Sequence, residues 1–205
     1  MLLPAIAPKI GALAVSPWRI QAETEGQILR SGREPNEGHA MNLRRAIPSD
    51  AAVLRYWDTK AHVIAASGDE PCIEWETELA RRTDWGEWLI AEADGRPIGA
   101  LQIIDPALEE SHYWGDVETD LRAIDIWIGE EEDLGRGFGT EMMRLALARC
   151  FADAAVKAVL LDPLVSNGRV HPFYERLGFR KTGRRRFGDD NCFVYRLDRD
   201  AWRTG

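Results

Sequence analysis

The chain has 205 residues, 45% of them hydrophobic and 29% charged, enough to bury one substantial core and form one domain plus a tail. A formal net charge of −8 speaks against general nucleic-acid binding, which needs a basic footprint, and favours small cations as ligands. The cysteines, Cys72, Cys150 and Cys192, are too scattered for a disulfide framework or a zinc site, and no apolar run reaches the roughly 18 residues of a membrane span, so a reducing cytoplasm is the default setting.

Residues 1–40 read as an N-terminal extension, disordered or dispensable, and 41–205 as the domain. Met1 to Pro17 is apolar but interrupted by Pro4, Pro8 and Pro17, and Gln21 to Ala40 is polar. Lys9 lies inside the apolar run rather than before it, which is the wrong order for a signal peptide. Translation starting at Met41 is one possibility. From there Leu43 to Ile47 is a candidate strand, Ser49 or Asp50 can cap a helix running to about Trp57, and Glu74 to Arg82 suits another helix. Trp88 to Ala93 and Pro97 to Ile104 flank Asp94-Gly95, a strong hairpin signal. Ala123 to Gly129 is the expected central strand. Met142, Met143, Leu145, Ala146 and Phe151 mark the core face of the next helix, and the methionines need no cofactor to explain them. Val156 to Leu161 is a further strand, a helical segment ends at Phe173 to Phe179, and Asp190 to Leu197 closes the chain, with Cys192 and Val194 alternating against Phe193 and Tyr195. The expected architecture is α/β: a mixed, mostly antiparallel central sheet flanked by helices.

Three features carry chemistry. Leu134-Gly135-Arg136-Gly137-Phe138-Gly139-Thr140 joins the central strand to a helix. Glycines at alternate positions let backbone approach a ligand without a Cβ between, and the first helical turn offers unpaired N–H groups to phosphate oxygens. Taken alone, such a run is also ordinary loop-to-helix packing. Between Asp105 and Asp133 eleven acidic residues stand against one base, Arg122, a charge balance that draws cations unless it is simply a solvated loop. Asp125 lies inside the apolar strand Ala123-Ile124-Asp125-Ile126-Trp127-Ile128, where a carboxylate must be used or paired. The four histidines are scattered without ligand spacing, so no metal is expected. Trp75, Trp85 and Trp88 read as core or pocket wall, because no basic residues interleave them as in a nucleic-acid platform. The basic run Arg180, Lys181, Arg184, Arg185 and Arg186 fits a solvated edge, a partner for the acidic loop in this or another subunit, or a contact for a 3'-phosphate.

The order strand, glycine loop, helix, strand, Asn-bearing loop Asp162-Pro163-Leu164-Val165-Ser166-Asn167, helix with Tyr174, then Gly178-Phe179 resembles the Gcn5-related N-acetyltransferase superfamily, including the seven-residue interval from Asn167 to Tyr174. The resemblance implies that superfamily's fold and acetyl-coenzyme A as co-substrate. It places the pyrophosphate on Leu134 to Thr140, the pantetheine arm beside Asn167 and along Ile126, Trp127 and Ile128, and the thioester sulfur near Tyr174. Leu134 stands where the family usually has Arg or Gln, which would leave phosphate binding to Arg136 and the backbone amides.

Trp114, Glu118-Thr119-Asp120, Ile124-Asp125, the glycine loop, Asp162-Pro163, Ser166-Asn167, Tyr174, Asp190 and Val194-Tyr195 look more narrowly like the aminoglycoside 6'-N-acetyltransferases, over roughly Trp114 to Tyr195. That likeness implies Asp125 on the 6'-amine, with Trp114, Asp120, Asp162 and Asp190 lining the acceptor pocket. After His62-Val63 the family's tryptophan pair is absent, Ile64-Ala65-Ala66-Ser67 standing there instead, and the segment from Asp120 to Asp125 is two residues shorter. In the expected chemistry Asp125 orients the ammonium and takes its proton, a backbone N–H at a bulge near Ile126 to Ile128 meets the oxyanion, and Tyr174 protonates the departing thiolate. The expected partner is a small cationic amine, with no nucleic acid or membrane, and the protein is a monomer or homodimer. Acyl transfer to an amine or hydroxylamine in siderophore assembly is the alternative within the superfamily, and a non-catalytic coenzyme A-binding scaffold is the alternative outside it.

Overall fold

Asp94 and Gly95 adopt φ of 51° and 78°, the paired positive values of a two-residue hairpin turn, and so join β2 (Gly86–Ala93) to β3 (Arg96–Ile104) in the expected register, with Ala93 opposite Arg96. The computed structural model describes residues 40–67 and 73–202; the expected N-terminal extension before Ala40, and Cys72, lie outside the described residues. Five further strands complete the sheet: β1 (Met41–Arg45), β4 (Leu121–Ile128), β5 (Ala158–Leu161), β6 (Arg180–Phe187) and β7 (Asp190–Asp198). Their order is β1-β2-β3-β4-β5-β7-β6. Every neighbouring pair is antiparallel except β4 and β5.

That parallel pair is short, running from Leu121 opposite Ala158 to Ala123 opposite Leu160. Beyond it the chain after β5 turns to Pro163, which has no N–H to offer β4, and follows β7 instead. Phe193 N donates to Pro163 O at 2.9 Å, Val165 N donates to Asn191 O at 2.8 Å, and Leu164 bridges Cys192. The sheet therefore opens into a V between β4 and β5, with the upper half of β4 lacking a neighbour on that side.

One sheet face carries Leu101, Ile103, Ile124, Ile126 and Ile128 and is covered by α4 (Phe138–Ala152), which buries Phe138, Met142, Met143, Ala146, Leu147, Cys150 and Phe151. Leu145, expected in that stripe, lies half-buried at its flank, and Leu147 takes the core position. The opposite face carries two smaller cores. Trp57 of α1 (Ala51–Trp57) and Trp75 of α3 (Trp75–Ala80) pack on Ile90 and Ala100, while Trp114, Leu121, Ala123, Leu160, Leu164, Phe187 and Cys192 form the second. Two further helices, α2 (Ala61–Ser67) and α5 (Val170–Arg176), border the V. No helix among the described residues is long and apolar enough to cross a membrane.

Several sequence expectations shift. The first strand begins two residues earlier and ends at Arg45. Asp50 does not cap α1 with its side chain; its carboxylate takes two hydrogen bonds from Arg44, at 2.7 and 2.8 Å, and one from Ile47 N. The basic run, for which a solvated edge is one of the alternatives, forms the edge strand β6, in which only Phe187 is buried, so no alternation marked it as a strand. A row of arginines suits an edge, because it discourages pairing with other chains.

Candidate active site

The backbone of β4 defines the donor side. Gly129 N donates to Ile98 O at 2.8 Å, and the register from Gly99 opposite Ile128 to Ile104 opposite Ala123 runs without a break. Alternation along an antiparallel pair then turns the N–H and C=O of Asp125 and Trp127 toward β3, and those of Ile126 and Ile128 into the V. A methyl group at Gly99 would sit 2.3 Å from Trp127 O, which confirms the direction of that carbonyl. The expected bulge near Ile126 to Ile128 is therefore absent, and the exposed N–H groups result from the parting of β4 and β5. The Ile128 carbonyl meets Nε2 of His62, on α2, at 3.0 Å.

A cavity of about 530 Å³ follows this edge. Ile126, Trp127, Ile128, Leu134, Gly135, Gly137, Gly139, Thr140 and Tyr174 line it as anticipated, joined by Ala61, His62 and Val63 of α2, by Glu131, and by Arg169, Val170, Phe173 and Arg176 at α5. Gly135 and Gly137 have φ of 72° and 87°, and Gly137 sits immediately before α4. These values suit glycine and leave the first-turn amides of a 15-residue helix facing the groove.

Two expected donor contacts lie elsewhere. Phe138 is buried in the core beneath the loop. Arg136 turns away from the groove: it donates to Asp133 at 3.0 Å and lies 4.9 Å over the Phe138 ring. Asp133, fully buried, also takes both hydrogen bonds of Arg96 at 2.7 and 2.8 Å, and Arg96 holds its carboxyl below the ordinary range. Arg136 thus anchors the loop, and Arg169 and Arg176 are the arginines that border the cavity. Their signal in the sequence was the spacing 169, 173, 176, a helical face shared with Phe173. Asn167 is outside the cavity wall but only 2% exposed, and neither Oδ1 nor Nδ2 of its amide has a partner. A buried amide left unsatisfied is unfavourable by about 1–3 kcal/mol, so this group is primed for a polar ligand.

The acceptor side lies on the other face of β4. Register places Trp88, Gln102 and Asp125 in one row across β2, β3 and β4. Alternation from Ala158 and Leu160, both in the core of that face, turns Asp162 the same way across the V. Burial pushes the Asp162 carboxyl up to about 7, with the Tyr113 hydroxyl donating to it at 2.6 Å and Arg185 drawing it down, while Asp190 adds to the rise. Tyr174 packs in the core of the α4 face, yet its phenol is pushed well above its ordinary range, first by burial and then by the charges of Asp125 and Asp162. Tyr174 is thus within electrostatic reach of both carboxylates at the opening between β4 and β5.

Asp120 and Trp114 do not join them. Asp120 precedes β4 at its foot, ion-paired with Lys157 at 2.9 Å, and five extended residues, roughly 16 Å, separate it from Asp125. Trp114 is buried against Phe187 at 5.2 Å in the second core. The acidic stretch is also less negative than its local sequence implied, because bases from elsewhere meet it: Arg81 pairs with Glu110, Arg196 with Glu118, and Lys60 with Glu130, while its own Arg122 pairs with Asp105. Gln102, buried beside Asp125, carried no motif that could have marked it.

Residues 46–187 match the acetyltransferase (GNAT) domain family. The chain is 29% identical over 157 residues to the aminoglycoside N(6')-acetyltransferase type 1 of Klebsiella pneumoniae, covering 72% of this chain and 78% of that one. Among solved structures it is similar to the aminoglycoside acetyltransferase AAC(6')-Ib in complex with coenzyme A, with a TM-score of 0.71 and 26% identity over 79% of this chain and 96% of that one. The complex of that enzyme with coenzyme A and kanamycin gives a TM-score of 0.71 and 25% identity over the same shares.

Proposed function

The chain belongs to the GNAT acetyltransferase family, and on that premise we propose that it transfers an acetyl group to the 6'-amine of an aminoglycoside or a similar cationic aminosugar. It is an acetyl-coenzyme A-dependent N-acetyltransferase. The acceptor is supported above all by one observation: Asp125 and Asp162 turn to the same sheet face from the two sides of the V, beside the groove that Tyr174 lines and that suits the donor.

The residues present fit coenzyme A. The amides around Gly135, Gly137 and the first turn of α4 would take the diphosphate, with Arg169 and Arg176 adding positive charge. The free N–H and C=O groups of Ile126, the Ile128 N–H and the unpartnered Asn167 amide would hold the pantetheine arm. Acetyl-coenzyme A supplies the acyl group as an activated thioester. The Ile126 N–H, unused by β3, is the preorganised donor where negative charge develops. Asp125 orients the acceptor ammonium and takes up its proton, with Gln102 beside it. Tyr174, held in its protonated form, keeps a proton ready for the sulfur. Holding amine and thioester in one complex provides much of the remaining acceleration.

Thiol release from acetyl-coenzyme A tests this reading. Turnover is expected with kanamycin-type amines and not with a 6'-hydroxyl analogue. Asp125→Asn should lower kcat/KM by roughly 10²–10⁴ while leaving coenzyme A affinity intact. Coenzyme A binding without turnover of any amine would favour the scaffold alternative.

A further inference from the structure

We propose that His62 is a positioning residue for the donor: its imidazole ties α2 to the open edge of β4, in the place a neighbouring strand would have, and so sets the wall against which the pantetheine arm of coenzyme A lies. The inference rests on the acetyl-transfer reading above and deepens its donor side.

Where β5 parts from β4, the carbonyl of Ile128 points into the V with no strand to meet it, and Ile128 is buried. A buried carbonyl without a donor is unfavourable, and His62 supplies the donor from 66 residues away in sequence, its Nε2 3.0 Å from the oxygen. A carbonyl only accepts, so Nε2 carries the proton of this bond. The strand edge left to a ligand is then the N–H and C=O of Ile126 and the N–H of Ile128.

Little else holds α2 in place. Its seven residues are too few to make a stable helix on their own. Of its first four side chains only Val63 is buried, Ala61 and Ile64 being exposed. Polar ties therefore decide where it sits, and they converge on one stretch of chain. Just before the helix, Lys60 Nζ pairs with Glu130 at 2.8 Å, and Glu130 also takes the Trp57 indole N–H at 3.2 Å. His62 makes the second tie two residues earlier on that stretch, at Ile128. Salt screens a partly solvated ion pair, so the hydrogen bond to a buried carbonyl is the firmer of the two. Ala61, His62 and Val63 line the cavity of about 530 Å³, as do Ile126 and Ile128, so the wall and the strand edge it is tied to meet the same ligand.

Calorimetry with two probes tests the tie: coenzyme A, and adenosine 3'-phosphate 5'-diphosphate, which is coenzyme A without its pantetheine arm. His62→Ala should weaken coenzyme A binding ~3- to 10-fold, the range of one hydrogen bond, and leave the fragment within about twofold of the wild type. His62→Gln, whose side-chain amide also presents an N–H, should recover most of the loss, whereas His62→Phe, which keeps a ring and lacks the donor, should not. The tie is overturned if His62→Ala binds coenzyme A as tightly as the wild type, if the fragment loses as much as coenzyme A does, or if Phe restores as much as Gln. Wild-type protein without affinity for coenzyme A overturns the acetyl-transfer reading itself, and the tie with it.

Discussion

Around the donor groove the recognising groups are left open, whereas on the acceptor face they are already engaged. The β4 edge at Ile126, the turn at Gly135 and Gly137, and the Asn167 amide come from two stretches of chain and present polar atoms without intramolecular partners or backbone without side chains. The acceptor face instead gathers Gln102 and Asp125 from within β3 and β4, Asp162 just after β5, Asp190 at the start of β7 and Tyr113 from a loop, and Asp162 holds an internal hydrogen bond. The donor can therefore bind by filling an incomplete network, while a cation on the acceptor face must exchange with groups the protein itself supplies. Differential satisfaction of this kind makes one side of a site general and the other selective.

The largest effect that would break this contrast concerns the stability of the acceptor face. Asp162 in the folded protein keeps its proton up to about pH 7, against an ordinary value of 3.8, so between those limits the folded state holds one more proton than the unfolded chain. Stability attributable to this group falls as pH rises through that window, by about 1.4 kcal/mol per pH unit. Asp162→Asn keeps an acceptor for the Tyr113 hydroxyl and removes the titration. Denaturant melts should show the variant matching the wild type near pH 4 and exceeding it by a few kcal/mol, at most about 4, above pH 7. A parallel pair of pH profiles would show that Asp162 is not buried with its charge at stake.

On the donor side the corresponding change is Gly137→Val. At φ of 87° a side chain is strained by about 1–2 kcal/mol, and a branched Cβ intrudes where phosphate oxygens should approach. Coenzyme A affinity should fall at least 10-fold, while the far-ultraviolet spectrum and the Asp162 pH profile remain those of the wild type. Unchanged affinity would move the diphosphate away from this turn.

The same contrast explains what could be read from sequence. The glycine loop, the Asn167 to Tyr174 interval and the Asp94-Gly95 hairpin are local patterns whose geometry follows from a few adjacent residues, and they survive in the fold. Asp120 and Trp114 sit among residues that resemble an acceptor pocket, but their positions depend on Lys157 and Phe187, which are 37 and 73 residues farther on. Arg136 was assigned to phosphate by proximity in sequence, whereas Asp133 and Arg96 determine where it points. The free N–H groups of β4 were attributed to a bulge because a single strand's sequence cannot show that its neighbour departs. β6 escaped notice because an edge strand with one buried residue has no hydrophobic period.

The smallest effect is also the most specific to the donor side. Asn167 has both amide atoms buried and unpartnered, and its neighbours constrain only its backbone, whose N–H donates to Leu164 O at 3.0 Å and whose C=O accepts from Val170 N at 3.3 Å. Truncation to alanine leaves those backbone bonds in place and removes an unsatisfied group, so Asn167→Ala should fold with stability within about 1 kcal/mol of the wild type or slightly above it. Its coenzyme A affinity should nonetheless fall roughly 5- to 10-fold, the equivalent of about one hydrogen bond. A buried asparagine serving the fold alone would give the reverse, a loss of stability with unchanged affinity. Measuring the melting midpoint with and without saturating coenzyme A separates the two, because a donor contact shows as a smaller ligand-induced stabilisation in the variant and a folding contact as an equal drop in both conditions.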